Sequence, residues 1–445
     1  MKTIQFLFGT QDRVTRKPYI LWGVGLMILK FAVEALVYYV YTKNILTPMN
    51  FFSPLAGNRF PGLDTHNAFW PIIIAWSVPF IWIGVGMTIR RLVDAGKNPW
   101  WSLLFFVPVL NLILMIVSAC LPGSAKSWEQ SHTQVLESGI HSPLKISMGF
   151  VVFGLLMSYV SVNYFQFYGS SLFVGTPFVV GLTQGFFLAR KGAGARQTIK
   201  YISMTFLLIH LCLLIFALEG VFCLAMSLPI SLVLGIIGGV FGQRMALFSN
   251  SKLTPTALMV LLPLTPMMEK NYFKAEPSVV MSSIEVNVAP EKVWPNVVKF
   301  PDLDPTTDFF FRMGIATPLR ARIEGTGVGA IRHCEFTTGS FVEPITAWEE
   351  PTRLAFNVKD QPAPMKELSF YDVIDAPHLK GFFRSIKGEF RLVRTETGTR
   401  LEGRTWYEVE MGPQWYWQQF GEYFIHKIHL RVLNHVKKIS ESNRG

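Results

Sequence analysis

Residues 90–101 read RRLVDAGKNPWW and join two apolar stretches, WPIIIAWSVPFIWIGVGMTI at 70–89 and SLLFFVPVLNLILMIVSACL at 102–121. Each stretch is long enough to cross a hydrocarbon core of about 30 Å, which takes roughly 20 helical residues. The two arginines and Lys97 end the first stretch, and Asp94 offers them a countercharge. The Trp pair that follows is favoured at the headgroup level of a bilayer. The motif therefore predicts a cytoplasmic turn between membrane segments.

The composition also indicates a membrane protein. Half of the 445 residues are hydrophobic, 16% are charged and the mean hydropathy is +0.33, whereas a soluble globular chain carries about a quarter charged residues. The net charge of +11 fits the Lys/Arg excess of cytoplasmic loops. No basic-aromatic repeat accompanies it, so no nucleic-acid partner is predicted. The four cysteines form neither a disulfide framework nor a Cys-based zinc pattern.

Seven stretches are candidate spans: 19–41, 69–89, 100–121, 146–166, 172–189, 198–218 and 221–243. The shorter segment 253–266 carries three prolines and is predicted to be interfacial or a connector. A single crossing by 100–121 would place the basic loop RKGAGARQTIK at 190–200 outside, which the positive-inside rule disfavours. We therefore expect 100–121, broken by Pro108 and Asn111, to return to the same side as a helical hairpin. Six crossings then place both termini in the cytoplasm.

Three elements occur in order near the N-terminus: FLFGTQDRVTRKPYILW at 6–22, then RRLVDAGKNPWW, then CLPG at 120–123. Their arrangement resembles a family of small bacterial inner-membrane proteins of unknown function, over about residues 1–123. The resemblance implies a multi-pass protein of the bacterial inner membrane and implies no chemistry. A second membrane domain of about four spans is expected at 140–250. Its basic loop resembles the one in the first domain, so a diverged repeat of that domain is one alternative.

Two polar residues lie inside candidate spans. Glu34 is in the middle of the first span, and an intramembrane carboxylate is a functional candidate. Lys30 stands four residues earlier on the same helical face, which favours a structural ion pair over a proton or substrate site. For His210, a lone polar residue in an apolar span, a hydrogen-bonded packing role is favoured over a ligand role.

The composition changes after a linker at 251–278, and residues 279–443 are predicted to form an α+β domain. Helices are predicted at 289–300 and 412–441, and strands at 279–288, 329–339, 343–351, 353–360, 388–398 and 399–411. This order predicts a curved antiparallel sheet that its last helix covers. The whole chain is thus predicted to be an all-α polytopic membrane bundle of six or seven spans followed by an α+β domain.

The order of elements, with VNVAPEKVW at 286–294, Gly327 to Gly339 and GTRLEGRT at 398–405, resembles the helix-grip superfamily SRPBCC. That superfamily includes START lipid-transfer domains, Bet v 1 allergens and polyketide cyclases. The resemblance implies an internal hydrophobic cavity between the sheet and the last helix. It does not imply one reaction, because the superfamily contains both binders and enzymes.

Strand and helix periodicity predicts which side chains face such a cavity. The predicted ligand-binding residues are Trp294, Arg332, Cys334, Phe336, Leu354, Phe356, Leu401, Thr405, Tyr407, Phe420, Phe424 and Ile428. The alternative is that each of them only fills the core.

Arg332 is the most specific of these candidates, because a buried guanidinium needs a partner. A ligand carboxylate or phosphate would suit its planar geometry, and a neighbouring acid would serve equally. His426 and His429 stand three residues apart without a third ligand nearby in sequence, which favours a solvated helix face over a metal pair. No metal site, cofactor or hydrolase motif is predicted.

Three functions remain open. The leading hypothesis is a cytoplasmic cavity domain, tethered to the bilayer, that binds or transfers a lipid or other hydrophobic small molecule. The second is a cyclase or aromatase in which Arg332, Tyr407 or His333 guides a reactive ligand. The third is a membrane-tethered regulatory protein whose soluble domain contacts a protein partner that the sequence does not identify.

Overall fold

The structure is a computed structural model that describes residues 2–8, 12–53, 59–63, 69–106, 109–125, 128, 143–249, 253–369 and 376–442. Parts of the predicted boundary regions, including 140–142 and 250–252, lie outside these residues, as does Pro108. Contacts divide the chain into two compact units. Unit 1 comprises Met1–Gly154, Thr176–Phe206 and Ser231–Leu262, and unit 2 comprises Leu155–Gly175, Leu207–Ile230 and Pro263–Gly445.

Helices dominate the chain up to Tyr272. Their bounds are Lys2–Phe8, Arg16–Thr42, Pro48–Phe51, Phe69–Asp94, Leu110–Cys120, Pro143–Tyr159, Thr176–Ala189, Ala195–Ile215, Val221–Phe248, Leu253–Leu261 and Thr265–Tyr272, with short 3₁₀ or π turns at Pro99–Phe106, Val160–Tyr164, Ser171–Gly175 and Leu262–Leu264. Within the described residues, five helical segments are long and apolar enough to cross a membrane, namely Arg16–Thr42, Pro143–Tyr164, Ser171–Ala189, Ala195–Ile215 and Val221–Phe248. The predicted apolar helical region is therefore confirmed. Phe69–Asp94, with 26 residues, is of similar length.

The carboxylate of Asp94 is the centre of a buried charge cluster in unit 1. Asp94 is fully buried and accepts hydrogen bonds from the guanidinium of Arg91, at 2.5 Å, and from that of Arg13. The same Arg91 donates to the backbone carbonyls of Ser118, at 3.0 Å, and of Leu121. Arg91 thus serves both Asp94 and carbonyl groups at the end of the helix Leu110–Cys120, which would otherwise lack partners.

The segment after this helix returns to the same carboxylate. The backbone amide of Ser124 donates to the Asp94 carbonyl at 2.7 Å. A Cβ atom added at Gly123 would lie 2.4 Å from a carboxylate oxygen of Asp94, so the Leu-Pro-Gly sequence needs its glycine. The end of the helix Leu110–Cys120 and the segment that follows it therefore lie beside Asp94.

Both arginines of the motif are buried within the protein. Arg90 is 1% exposed, and it donates to the carbonyls of Phe6, at 3.0 Å, and Asp12, at 3.3 Å. Backbone carbonyls from the N-terminal segment supply acceptors that a sequence pattern does not reveal. Trp100 is buried and donates its indole N–H to Ser249 at 3.1 Å, whereas Trp101 is half exposed.

The intramembrane polar residues have structural partners. Glu34 is fully buried and pairs with Lys30, as predicted, and with Arg59 at 2.7 Å. His210 Nε2 lies 3.2 Å from the Ser227 hydroxyl, which confirms the predicted hydrogen-bonded packing role.

Two helices of unit 1 make backbone contact through glycines. A Cβ atom at Gly181 would lie 2.0 Å from the carbonyl oxygen of Gly235, and one at Gly185 would lie 2.1 Å from that of Gly239. Small residues four apart let apolar helices approach closely, and such residues are enriched at helix interfaces inside a bilayer. The helices Thr176–Ala189 and Val221–Phe248 are therefore packed as membrane helices pack.

Unit 2 contains a seven-stranded sheet in which all neighbouring strands are antiparallel. The strands are β1 (Ser278–Val286), β2 (Pro318–Glu324), β3 (Ile331–Phe336), β4 (Gly339–Glu349), β5 (Arg353–Asn357), β6 (Phe383–Arg394) and β7 (Thr399–Val409), in the spatial order β1-β7-β6-β5-β4-β3-β2. Register shifts interrupt β2, β4 and β6. Such bulges bend strands and increase local twist, which gives a sheet a concave face.

Helices Pro290–Val298 and Phe309–Arg312, a 3₁₀ turn at Pro377–Leu379 and the helix Gln414–Ser442 complete this unit. We call Gln414–Ser442 the terminal helix. It packs against β1 and β7, so the predicted helix-grip arrangement is confirmed. Strand β2, PLRARIE, was not predicted, although Leu319, Ala321 and Ile323 alternate with Arg320, Arg322 and Glu324.

Two apolar cores hold the terminal helix on the sheet. One contains Val432, Leu433 and Val436 of the helix, together with Trp294 from Pro290–Val298. The other contains Trp417 and Ile425 of the helix with β7 residues such as Val409. The helix is thus anchored toward both ends.

Asp94→Asn should destabilise the protein, because it leaves the buried Arg91 guanidinium without a countercharge. Breaking a buried ion pair by removing one partner costs about 3–5 kcal/mol. We expect a clearly lower midpoint of thermal unfolding in detergent, followed by tryptophan fluorescence. The exposed Lys97 is the matched control, and Lys97→Gln should change stability by less than about 0.5 kcal/mol. Equal midpoints for the two variants would contradict this role for Asp94.

Candidate functional site: a cavity under the terminal helix

Unit 2 encloses a cavity of about 210 Å³ between the sheet and the terminal helix. The helix lines it from Trp417 to Val432, and Trp417, Ile425 and Val432 also belong to the two apolar cores. Strands β3 to β7 supply most of the opposite wall, including Phe341, Phe390 and Val409. The lining is mostly apolar, which is the usual character of a small-molecule pocket.

The predicted ligand-binding residues fall into two groups. Eight line the cavity: Arg332, Cys334, Phe336, Phe356, Thr405, Phe420, Phe424 and Ile428. Four lie in the flanking cores instead: Trp294, Leu354 and Leu401 in one, and Tyr407 in the other. Periodicity identified the inward face of each element correctly, but it carries no information on where along that face the core becomes hollow.

Arg332 reaches the cavity wall with its countercharge already in place. It is 1% exposed and pairs with Glu343, which is 5% exposed, and its Nε donates to the Val298 carbonyl at 3.2 Å. Its guanidinium carbon also lies 5.4 Å from the ring centre of Phe356, within cation–π range. The acid that pairs with Arg332 is therefore a buried neighbour, and the guanidinium needs no ligand anion.

His429 forms the second polar group of the wall. Its Nε2 lies 2.8 Å from the Thr405 hydroxyl and its Nδ1 lies 3.1 Å from the Ser282 hydroxyl. Burial, and then the charge of His426, lower the pKa of His429 to about 4, so the ring is neutral at neutral pH. The expected solvated helix face is correct for the exposed His426 and wrong for His429, which is 9% exposed and lines the cavity.

Of the three residues considered for an enzyme, only Arg332 lines the cavity. The Tyr407 hydroxyl donates to the Gln418 carbonyl at 3.3 Å inside the flanking core. His333 points to the other face of β3, where its Nε2 lies 3.7 Å from Glu324.

Sequence reasoning missed one wall of the cavity, which comes from the helix Val221–Phe248. Cys223 and Met226 of this candidate span line the cavity. The Tyr416 hydroxyl of the terminal helix donates to the Met226 carbonyl at 2.6 Å. The ring of Phe222 packs against Phe424 with a centroid distance of 5.6 Å. No local pattern links residues so far apart in the chain.

A cluster of ionisable residues lies where this helix begins. Glu367 accepts hydrogen bonds from the backbone amides of Phe222 and Cys223, each at 3.2 Å, which are free donors at a helix N-terminus. His378 Nε2 lies 3.3 Å from Glu367, and its Nδ1 lies 2.9 Å from Glu219. We call Tyr168, Glu219, Cys223, Glu367 and His378 the His378 cluster.

The two carboxylates of this cluster favour positive charge at the ring. Burial lowers the pKa of His378, but its contacts with Glu219 and Glu367 outweigh burial and raise that pKa to about 9. His378 is 7% exposed and lines the cavity beside Cys223. The cavity wall therefore contains another ionisable position besides the Arg332–Glu343 pair.

Comparison with protein families supports the first resemblance. Residues 7–129 match the family described as protein of unknown function (DUF805). This confirms the predicted relationship of the N-terminal segment. Comparison of the whole chain with curated proteins found no match.

Comparison with solved structures found proteins similar to the C-terminal part of this chain. A truncated norcoclaurine synthase from Thalictrum flavum is 14% identical, over 38% of this chain and 95% of that chain, with a TM-score of 0.25. An aromatase/cyclase from a Streptomyces species is 11% identical, over 37% of this chain and 94% of that chain, with a TM-score of 0.26. A protein from Mesorhizobium loti is 15% identical, over 38% and 100%, with a TM-score of 0.24.

The low pKa of His429 predicts a loss of stability in mild acid. The unfolded chain protonates this residue near pH 6.5 and the folded chain only near pH 4, so the unfolded state binds more protons between these values. Stability contributed by neutral His429 is complete above pH 6.5 and falls by about 3 kcal/mol as the pH drops to 4. His429→Gln should flatten the pH dependence of the unfolding midpoint over this window. His333→Gln should keep the wild-type dependence, and a wild-type slope in His429→Gln would contradict the assignment.

Proposed function

We propose that the protein binds a small apolar molecule that it takes up from, or delivers to, the lipid bilayer. The observation that carries this proposal is the composition of the cavity wall. Part of that wall is Cys223 and Met226, which belong to a helix long and apolar enough to cross a membrane. A cavity with such a wall is accessible to molecules that partition into the hydrocarbon phase.

Two polar groups of the wall, Arg332 and His429, already have partners within the protein. Arg332 is paired with Glu343, and His429 is hydrogen-bonded to Thr405 and Ser282. Groups whose partners are already in place gain little from a polar ligand, whereas the aromatic lining gains from any apolar surface that it covers. Phe336, Phe356, Phe420 and Phe424 contribute to that surface.

The size of the cavity limits the ligand. A protein cavity of about 150 Å³ holds one benzene molecule, so 210 Å³ suits a molecule slightly larger than a single ring, or one segment of a longer chain. A whole two-chain phospholipid exceeds this volume. We therefore favour a small ring compound or a single-chain lipid segment over an intact phospholipid.

We infer that the protein resides in a bacterial inner membrane. The positive-inside rule favours a cytoplasmic position for the basic loop at 190–200 and for Lys97. In this proposal residues 1–123 and 140–250 form the membrane part, 251–278 the linker and 279–443 the binding domain. Attachment to the membrane raises the local concentration of a lipid-soluble ligand without any new contact.

Binding is favoured over catalysis of the cyclase or aromatase type. Tyr407 and His333 lie away from the cavity, and the third residue considered for catalysis, Arg332, is held by Glu343. A regulatory role is an outcome that the following experiment distinguishes.

Phe424→Asp should abolish ligand binding, because it places a carboxylate in the apolar wall beside Phe222 and Phe310. The full-length protein is purified in detergent and extracted with organic solvent, and the extract is analysed by mass spectrometry. We expect the wild type to yield a reproducible apolar compound and Phe424→Asp to yield less than about a tenth as much.

Trp415→Asp is the matched control, since Trp415 is an exposed aromatic residue of the same helix that does not line the cavity. It should retain wild-type recovery. Equal recovery from Phe424→Asp would contradict the assigned lining. An empty cavity with a stoichiometric co-purifying protein would favour the regulatory alternative.

A further inference from the structure

We propose that Glu219, Cys223 and His378 bind a divalent transition-metal ion, zinc by preference, in the wall of the cavity. A carboxylate oxygen, the Sγ atom and a ring nitrogen of these residues all lie within 4.8 Å of one another, and all three residues are buried. This site does not depend on the proposed function.

The three ligand atoms are close enough to share one ion. Zinc bonds of about 2.0–2.3 Å in tetrahedral geometry separate the ligands by about 3.3–3.8 Å. His378 Nδ1 and Glu219 Oε2 are 2.9 Å apart, and no pair exceeds 4.8 Å. Side-chain shifts of about 1 Å therefore bring the three atoms to bonding distance.

The facing polar atoms of the cluster are unsatisfied. Glu219 Oε2 and both ring nitrogens of His378 are buried and have no aligned hydrogen-bond partner. The ring nitrogens of His378 lie close to carboxylate oxygens, but no N–H bond of the ring points at an oxygen. Buried polar atoms are nearly always satisfied, so three in one place need an explanation. A metal ion between His378 Nδ1 and Glu219 Oε2 would accept a lone pair from each atom and so satisfy both.

The surroundings of the cluster match the outer shell of metal sites. The Tyr168 hydroxyl donates to the other oxygen of Glu219 at 2.5 Å, which fixes the orientation of that carboxylate. Glu367 lies 3.3 Å from His378 Nε2 and is itself held by two backbone amides. A carboxylate that holds one ring nitrogen so that the other can bind metal is the usual support of a ligating histidine.

The chemistry of the ligands selects the ion. Thiolate and imidazole favour zinc and other late transition metals, whereas calcium and magnesium prefer oxygen ligands alone. One thiolate and one carboxylate also neutralise a divalent cation, so the ion adds no net charge to this buried place. Three protein ligands leave a fourth position open, as in catalytic rather than structural zinc sites.

The position of the ligands gives the site access to the cavity. Cys223 and His378 both line it, so an oxygen atom of a bound guest can reach the ion. The sequence predicts no metal site because Glu219 and Cys223 precede His378 by a long stretch of chain, and a spacing pattern detects only ligands that are close in sequence.

Metal analysis of the full-length protein in detergent tests the proposal. After dialysis against zinc and removal of free ion, we expect one zinc per chain by elemental mass spectrometry. Loading with cobalt(II) should give a thiolate-to-cobalt charge-transfer band and the visible absorption of tetrahedral cobalt. Cys223→Ser should remove the charge-transfer band, and Glu367→Gln should weaken zinc binding about 10–100-fold, as loss of an outer-shell carboxylate does.

Cys334→Ser and His429→Gln are matched controls, because both residues are buried in the same cavity wall outside the cluster. Both should keep one zinc per chain and the cobalt spectrum. Absence of a stoichiometric ion after loading would overturn the proposal in favour of a protonated His378 held between two carboxylates. A charge-transfer band that persists in Cys223→Ser would overturn it as well.

If Cys223→Ser does not fold, Glu219→Gln and His378→Gln decide in its place. Each should lower zinc affinity at least about tenfold while the protein elutes as the wild type does in size-exclusion chromatography, and wild-type affinity in either variant overturns the proposal. Recovery of the apolar guest from Phe424→Asp tests a different part of the cavity. Failure of the ligand proposal and failure of the metal proposal are therefore distinguishable.

Discussion

The hydrogen bonds between Glu367 and the first amides of the helix Val221–Phe248 are the constraint on which the cavity depends. Two amides donate to this carboxylate, and the Val221 amide donates to the Leu368 carbonyl at 2.9 Å. A helix N-terminus carries partial positive charge, so a buried carboxylate is stabilised there. These bonds keep Cys223 and Met226 against the cavity. Without them the hollow under the terminal helix would lose one wall.

Asp94 has a comparable role in unit 1. The three sequence elements of the N-terminal resemblance meet at this one carboxylate: Arg13 from the first, Arg91 from the second and Gly123 from the third. The elements occur together because each contributes to the same buried contact, with Arg91 also serving the end of the helix Leu110–Cys120. The charges of a motif between apolar segments can therefore be satisfied inside the protein.

The sequence predicted those features that follow from local periodicity. Alternation identified six of the seven strands and the inward residues Arg332, Cys334 and Phe356. It missed the charge-rich strand β2, and it could not separate lining residues from core residues such as Leu354. The His378 cluster was unpredictable for a different reason. Its members come from three separate segments, and only tertiary packing brings them together.

The side chains of the terminal helix divide between two requirements that compete in most hydrophobic cores. Substitutions at Phe424, Ile428 and His429 alter the shape offered to a guest, while Trp417, Ile425 and Val432 to Val436 still hold the helix in the two cores. Selectivity can thus diverge among homologous chains through exchanges at these three positions, with little loss of stability. The architecture is evolvable because recognition and cohesion rest largely on different side chains of one helix.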